Sequence, residues 1–151
     1  MTQTTPGDLN YRAALPDDVA WLADVFIGSL RDPITMARGE WNEERERAQF
    51  LRQLRLPDTA VILAETTPIG FYTAKHERGG MFLHTLCISP GYQNKGYGTN
   101  VMRALAQRTS PIRMLVLKSN PGARRFYERL GYRWMSATQH HDELKSAESE
   151  R

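Results

Sequence analysis

The chain has 151 residues, of which 40% are hydrophobic and 25% are charged, and its formal net charge at pH 7 is +3. This length suits one domain with a sizeable core, and the composition is that of a folded protein rather than a disordered or fibrous one. The charge excess is small and its residues are interspersed, so we expect no nucleic-acid partner.

Three further features indicate the compartment. No apolar run approaches the roughly 20 residues that a membrane span requires, so we expect no membrane association. The first ten residues, MTQTTPGDLN, have neither the basic start nor the apolar stretch of a signal peptide. The one cysteine, Cys87, cannot form an internal disulfide, which fits a reducing compartment. The sequence therefore predicts a cytoplasmic protein.

The first third of the chain predicts one strand and two helices. Residues 1–8 are expected to be a loose lead-in, and residues 11–15 to form a strand that ends at proline. An amphipathic helix follows, and Arg31-Asp32-Pro33 is expected to break it. Residues 42–55 predict a second, strongly charged helix, whose charges are best explained as a solvated face.

The rest of the chain predicts five strands and two helices. The first three of these strands are joined by short turns and should be antiparallel neighbours. The charged segment 142–151 is expected to fray, at least beyond Lys145. The order β-α-α-β-β-β-α-β-α-β predicts a mixed α/β (α+β) fold with a mostly antiparallel central sheet. The five predicted strands are residues 60–65, 69–76, 81–88, 112–118 and 132–138.

A glycine-containing loop, QNKGYG at residues 93–98, joins a strand of buried character to a helix. Gly96 and Gly98 lie where the backbone turns into the helix, and the missing side chains leave the amides open to a ligand. Exposed amides at a helix N-terminus bind anions. Thr99-Asn100 does not fit a P-loop, which needs lysine and then serine or threonine there. Val101 replaces the third glycine of a dinucleotide fingerprint.

Two motifs on this chain resemble those of the GNAT superfamily, the acetyl-CoA-dependent N-acetyltransferases. The earlier one is the family's Gln/Arg-x-x-Gly-x-Gly signature after a hydrophobic strand. The later one is an asparagine after the fifth strand, with an aromatic pair before Glu-x-Leu-Gly-Phe/Tyr. The resemblance covers about residues 11–141 and implies a single GNAT domain over 1–151, with loose tails at 1–8 and 146–151. The matching residues are Gln93, Gly96, Gly98, Asn120, Phe126, Tyr127 and the segment 128–132.

The resemblance implies acetyl-CoA as the co-substrate and no metal. In this family the loop amides hold the pyrophosphate of coenzyme A. The strand before the loop offers a backbone donor to the carbonyl oxygen, and the later motif lies near the sulfur. The implied coenzyme-binding residues are Leu86, Cys87, Ile88, Gln93, Asn94, Lys95, Gly96, Tyr97, Gly98, Thr99, Asn120, Phe126 and Tyr127.

Tyr127 matches the family position whose phenol faces the coenzyme sulfur, which makes it the candidate catalytic acid. The pKa of a phenol is about 10 and that of a thiol is about 8.5, so complete proton transfer from the phenol to the thiolate would cost about 2 kcal/mol. We therefore expect Tyr127 to act by hydrogen-bonding the thiolate as it leaves. The alternative is that Tyr127 only packs, because it shares a helical face with Ala123 and Leu130.

The catalytic base is left open by the sequence. His84 has an ordinary pKa of about 6.5, which suits a base, and strand alternation places it with Phe82 and Leu86. The alternatives are a buried histidine satisfied by a backbone carbonyl, and a water relay. His140 and His141 are expected to line the site or to be structural rather than to bind a metal, because neighbours in a strand face opposite ways.

The resemblance implies an N-acetyltransferase that moves the acetyl group of acetyl-CoA directly to a primary amine of a small molecule or peptide. The alternative is a non-catalytic acyl-CoA-binding or sensing module on the same fold, because no carboxylate base is evident. Glu40 and Glu43 precede or begin the second helix, where the family shapes its acceptor pocket, but surface charge explains them better. No motif identifies the acceptor, and the resemblance is compatible with a homodimer.

Overall fold

The computed structural model describes residues 8–146, with seven strands and four helices. It confirms the predicted mixed α/β fold with a mostly antiparallel sheet. The predicted loose tails at 1–8 and 146–151 lie outside the described residues, apart from Asp8 and Ser146. The elements are β1 (Leu9–Ala13), α1 (Val19–Arg38), α2 (Glu43–Gln53), β2 (Thr59–Ala64), β3 (Thr67–Glu77), β4 (Gly80–Ile88), α3 (Tyr97–Arg108), β5 (Ile112–Leu117), α4 (Pro121–Arg129), β6 (Tyr132–Ala137) and β7 (His141–Ser146).

The strands form one sheet in the order β1-β2-β3-β4-β5-β7-β6. Among the described strands only β4 and β5 run parallel, and α3 makes the crossover between them. The other five pairings are antiparallel. No helix within residues 8–146 has both the length and the apolar character needed to cross a membrane.

Helices cover both faces of this sheet: α3 and α4 pack on one face, and α1 and α2 pack on the other. Adjacent residues of β2 point to opposite faces, and accordingly Ile62 belongs to the core under α3 and α4, whereas Val61 belongs to the core under α1 and α2. Both side chains are fully buried, and burying one aliphatic side chain of this size contributes roughly 1.5–3 kcal/mol. The faces therefore have separate cores: one around Met102, Leu105 and Leu144, the other around Leu22, Phe50 and Phe71.

The predicted helix break at Arg31-Asp32-Pro33 is wrong, because α1 continues through Pro33 to Arg38. An internal proline costs a helix about 3 kcal/mol. Contacts from outside the helix offset this cost: Ile34 is buried, and the Ser119 hydroxyl donates a hydrogen bond of 2.6 Å to the Pro33 carbonyl. The extra turns place the end of α1 beside α2.

The prediction that the charged segment 142–151 frays is wrong for residues 142–146, which belong to β7, whereas residues 147–151 lie outside the described part of the chain. β7 lies between β5 and β6, so β6, the strand predicted to be last in the chain, forms the edge of the sheet. The side chains of β7 alternate, with Asp142 and Leu144 buried. The Asp142 carboxylate accepts hydrogen bonds from Arg124 Nη1 at 3.2 Å and Trp134 Nε1 at 3.0 Å, so its charge is compensated.

Candidate active site

The candidate site begins at a bulge in β4. Leu83 pairs with Ala74 and Thr85 pairs with Thr73, so the intervening His84 has no partner on β3. The parallel ladder to β5 also ends at this point, because its last pair joins Leu83 to Met114. A bulge bends its strand and terminates pairing in this way. The edge of β4 that faces β5 is consequently open over residues 84–88.

A cavity of about 460 Å³ lies at this opening. Side chains of α1 and α2 line it on one side of the sheet, and residues of α4 line it on the other. Because those helices pack on opposite faces, the cavity passes through the sheet between β4 and β5. The lining includes the polar and titratable residues discussed below, together with Leu86 of β4: Arg38, Glu46, Gln49, His84, Thr85, Leu86, Asn120, Tyr127, His140 and His141.

The backbone of β4 directs polar groups toward this opening. A Cβ on Gly70 would collide with the Cys87 carbonyl oxygen, which shows that Cys87 points its backbone groups at β3. Backbone direction alternates along a strand, so Leu86 and Ile88 point the opposite way, toward the open edge. The Ile88 carbonyl accordingly accepts hydrogen bonds from Ser29 Oγ at 3.0 Å and Gln93 Nε2 at 2.8 Å.

Of the three β4 residues predicted to contact the coenzyme, Cys87 is the one turned away. Its side chain is buried with the α1 and α2 core, next to Phe71. Burial raises the pKa of the Cys87 thiol to about 12, opposed by a weaker effect of the Ser29 hydroxyl. A thiol with this pKa is not a nucleophile near neutral pH. Leu86 lines the cavity and packs on the other face.

The glycine loop lies beside the cavity rather than in its wall. Residues 93–96 are exposed, and Gly96, with φ of 84°, makes the left-handed turn into α3. The first amides of α3 have no partners within the helix, so they are available to an anion. A Cβ on Gly98 would lie 3.2 Å from the Phe126 ring, so this glycine lets α3 approach α4 closely. The two predicted motifs therefore meet in space.

The remaining loop residues take simpler positions. Asn94 is the second left-handed residue of the loop, with φ of 63°. Lys95 is exposed, whereas Tyr97 and Thr99 are half-buried in the first turn of α3. The Gln93 side chain ties the loop to β4 through the Ile88 carbonyl, so it shapes the loop rather than reaching the cavity.

Asn120 and Tyr127 place α4 against the cavity. The Asn120 side chain accepts a hydrogen bond of 3.2 Å from the Ala123 amide, so it is the N-cap of α4 as well as a lining residue. Tyr127 is buried, with ring centroids 5.0 Å from Phe126 and 5.8 Å from Tyr132. Its hydroxyl makes no hydrogen bond to any residue among 8–146. Burial, together with Cys87 and Tyr132, raises the pKa of Tyr127.

All three candidate histidines line the cavity. His84 is exposed rather than buried, and its ring lies edge-on at 5.0 Å from Phe82. The predicted shared face with Leu86 is wrong, because the bulge at His84 reverses the alternation. Burial and the neighbouring His140 lower the pKa of His141. Within residues 8–146, no three potential ligand side chains converge as a metal site would require.

Sequence reasoning missed a polar cluster on the α1–α2 side, made of Arg38, Glu46 and Gln49. Glu46 is buried, with only 4% of its surface exposed. Its carboxylate lies 2.8 Å from Arg38 Nε and 3.1 Å from Arg45 Nε. Glu40 contacts Arg45 instead, at 2.8 Å, outside the cavity. The sequence did contain a signal for this face of α2. Glu46, Gln49, Phe50 and Gln53 are spaced three or four residues apart and so lie on one side of the helix, but three of the four are polar, which favours a solvent-exposed face.

The chain matches the model of the acetyltransferase (GNAT) family over residues 21–132. The chain belongs to this family. Membership supports acyl transfer from coenzyme A, and it confirms the family expected from the loop and α4 motifs. No curated protein matches the sequence significantly.

Solved structures of GNAT proteins share the fold. An acetyltransferase from Thermus thermophilus is 20% identical, with a TM-score of 0.70 over 91% of this chain and 95% of that one. A GNAT family acetyltransferase from Streptococcus agalactiae is 11% identical, with a TM-score of 0.72 over 94% and 96%. The PaiA N-acetyltransferase from Thermoplasma acidophilum, in complex with coenzyme A, is 18% identical, with a TM-score of 0.65 over 92% and 98%.

Proposed function

We propose that this GNAT protein is an N-acetyltransferase that moves the acetyl group of acetyl-CoA directly to a primary amine of a small molecule or peptide. The observation that carries the proposal is the cavity through the sheet. It brings Tyr127 and the open edge of β4 together from one face, and a polar pocket from the other. Two substrates can therefore enter from opposite sides and meet between β4 and β5.

The residues of the chain fit a coenzyme A thioester. The free amides of α3 at residues 97–99 suit the pyrophosphate, because they combine N–H donors with the positive end of the helix dipole. The outward backbone of Leu86 and Ile88 suits hydrogen bonding to the pantetheine arm and to the thioester oxygen. Such fixed donors stabilise the charge that develops on that oxygen. Coenzyme A bound to the PaiA N-acetyltransferase supports this choice of co-substrate.

Proton transfer has donors and acceptors within the same cavity. The buried Tyr127 stays protonated at neutral pH because its pKa is raised, so it donates a hydrogen bond to the departing thiolate. His84 and His141 are open to the cavity on the other side. His141 is neutral at pH 7, since its pKa is lowered, and a neutral imidazole can accept the proton of the attacking amine directly or through water.

Calorimetric titration with acetyl-CoA, coenzyme A and ATP tests the proposal. We expect micromolar affinity for acetyl-CoA, clearly above that for ATP, followed by thiol release with a panel of primary amines. Gly98→Val should weaken acetyl-CoA binding, because its side chain would push the first turn of α3 away from the Phe126 ring of α4. Gly91→Val is the matched control, since a Cβ there meets no atom within 4 Å. No binding at millimolar acetyl-CoA would refute the proposal.

A further inference from the structure

One guanidinium is held in a fixed orientation at the cavity wall. Arg38 ends α1, and its Nε lies 2.8 Å from the Glu46 carboxylate. Its Nη2 donates a hydrogen bond of 3.0 Å to Gln49 Oε1. The third nitrogen, Nη1, makes no hydrogen bond to any residue among 8–146. Two contacts thus fix the plane of the guanidinium and leave Nη1 of this cavity-lining residue without a partner in the described chain.

Two guanidiniums share one buried carboxylate at this site. Arg38 and Glu46 are the only charged residues that the described chain places in the cavity wall. Glu46 uses one oxygen, Oε2, for both Arg38 and Arg45, so a single carboxylate is shared by two guanidiniums. Glu40, which offsets Arg45, is 67% exposed and therefore largely screened by water. Glu46 therefore has to balance the charge of Arg38 together with that of Arg45.

The cavity wall around Arg38 combines apolar side chains, Phe26, Leu30, Ile34 and Phe50, with the polar side chains of Gln53, Thr73 and His84. An occupant therefore needs an apolar body and one polar group that matches the arginine. A guanidinium edge pairs best with a planar anion, and a carboxylate fits it with hydrogen bonds as well as charge.

We propose that the acceptor is an amine that also carries a carboxylate, and that Arg38 selects it by binding that carboxylate. Glu46 and Gln49 are positioning residues, because Glu46 Oε2 and Gln49 Oε1 hold two nitrogens of the Arg38 guanidinium. The amine end then reaches the opening between β4 and β5. This inference rests on the proposed acetyltransferase function and names the substrate class of the same site.

Matched pairs of amines test the selection. The pairs are L-leucine with L-leucinamide, β-alanine with β-alaninamide, and 6-aminohexanoate with 6-aminohexanamide. We expect the best carboxylate to exceed its amide by about 10- to 100-fold in kcat/KM, which is typical of a hydrogen bond to a charged group. Arg38→Gln should abolish this preference mainly by raising KM, and Glu46→Gln should reduce it. In both variants the kcat/KM of the carboxylates should fall more than that of the amides.

The control is Arg47→Gln. Arg47 is on α2 like Glu46, but it pairs with Asp24 at 2.7 Å and does not line the cavity. It should leave the preference unchanged. Arg38→Lys retains the charge and a partner for Glu46, so it keeps the protein folded if Arg38→Gln does not. It should lose part of the preference, because lysine lacks the planar edge.

The outcomes separate this inference from the proposed function. Acetylation of amides as efficiently as carboxylates, or a preference that survives Arg38→Gln, would overturn the role of Arg38 and leave the acetyltransferase standing. Thiol release with none of the amines would count against the proposed function instead. In that case, calorimetry with N-acetyl-L-leucine and N-acetyl-L-leucinamide decides the question. Binding of the acid alone, lost in Arg38→Gln, would support the carboxylate site, and equal or absent binding would overturn it.

Discussion

Tyr127 is buried among aromatic rings, yet it lines the cavity on the face of the sheet where the coenzyme is proposed to bind. Its raised pKa makes it a weaker acid than a phenol in water. Complete proton transfer to a thiolate is therefore less favourable than the sequence alone suggests. A hydrogen bond to the developing charge needs only a fixed position, and the packing of Phe126 and Tyr132 fixes it.

Tyr127→Phe should lower kcat by about 100-fold, within the range usual for losing an acid–base group. The Kd for acetyl-CoA should stay nearly the same, because the ring and its packing are retained. Steady-state thiol release and calorimetry measure the two effects. Tyr132→Phe is the matched control, since Tyr132 is equally buried but does not line the cavity. Unchanged turnover in Tyr127→Phe would contradict the proposed role of the hydroxyl.

At the level of elements, β4 and β7 together create the site. The bulge at His84 ends pairing with β5 and opens the cavity. β5 then needs another partner on its far side, and β7 supplies it over residues 141–145. The turn before β7 brings His140 to the cavity wall, and the first residue of β7 brings His141 there. A charged C-terminal segment is thus part of both the core and the site.

Leu144→Ala tests whether β7 is a core strand. Leu144 is fully buried, so the truncation should lower the free energy of unfolding by about 2–5 kcal/mol. Urea denaturation followed by circular dichroism measures the change. Met135→Ala on β6 is the control, because Met135 is 52% exposed and should change stability by less than about 0.5 kcal/mol. Equal, small effects of both substitutions would mean that β7 does not contribute a core strand.

At the scale of the whole molecule, buried ionisable groups limit stability in alkali. Folding raises the pKa of Cys87 from its ordinary value of 9.0 to about 12. Burial likewise raises the pKa of Tyr132 from 10.0 to about 12, and that of Tyr127 as well. Below the pKa that such a group has in the unfolded chain, the group is protonated in both states and the free energy of unfolding does not depend on its pKa. Between the unfolded and the folded pKa, the group ionises only in the unfolded chain, so the free energy of unfolding falls as the pH rises.

The free energy of unfolding should therefore fall above pH 9, by about 1.4 kcal/mol at pH 10 from Cys87 alone. A steeper decline should follow above pH 10, where the tyrosines ionise in the unfolded chain. Urea denaturation from pH 7 to pH 11 measures the slope. Cys87→Ala should flatten the curve between pH 9 and pH 10, whatever its absolute stability. A slope unchanged by Cys87→Ala would show that other groups cause the decline.

The sequence by itself determined the unit from β4 through α3 and the motif of α4. Both depend on local signals: a short apolar strand, glycines where the chain turns into a helix, and an asparagine that caps the next one. The family and the mixed sheet followed from these. The proposed roles of Tyr127 and of the α3 amides also came from residues close together in the chain.

The tertiary structure decided the features that depend on distant residues. α1 passes through Pro33 because Ser119 and the core hold it, β7 inserts because β5 lacks a neighbour, and the bulge reverses the side chains after His84. Arg38 and Glu46 meet only when α1 and α2 pack together. Local propensity is worth a fraction of a kcal/mol at most residues and about 3 kcal/mol at an internal proline, whereas each buried aliphatic side chain contributes roughly 1.5–3 kcal/mol, and many are buried together. Where the two conflicted, the long-range contacts determined the structure.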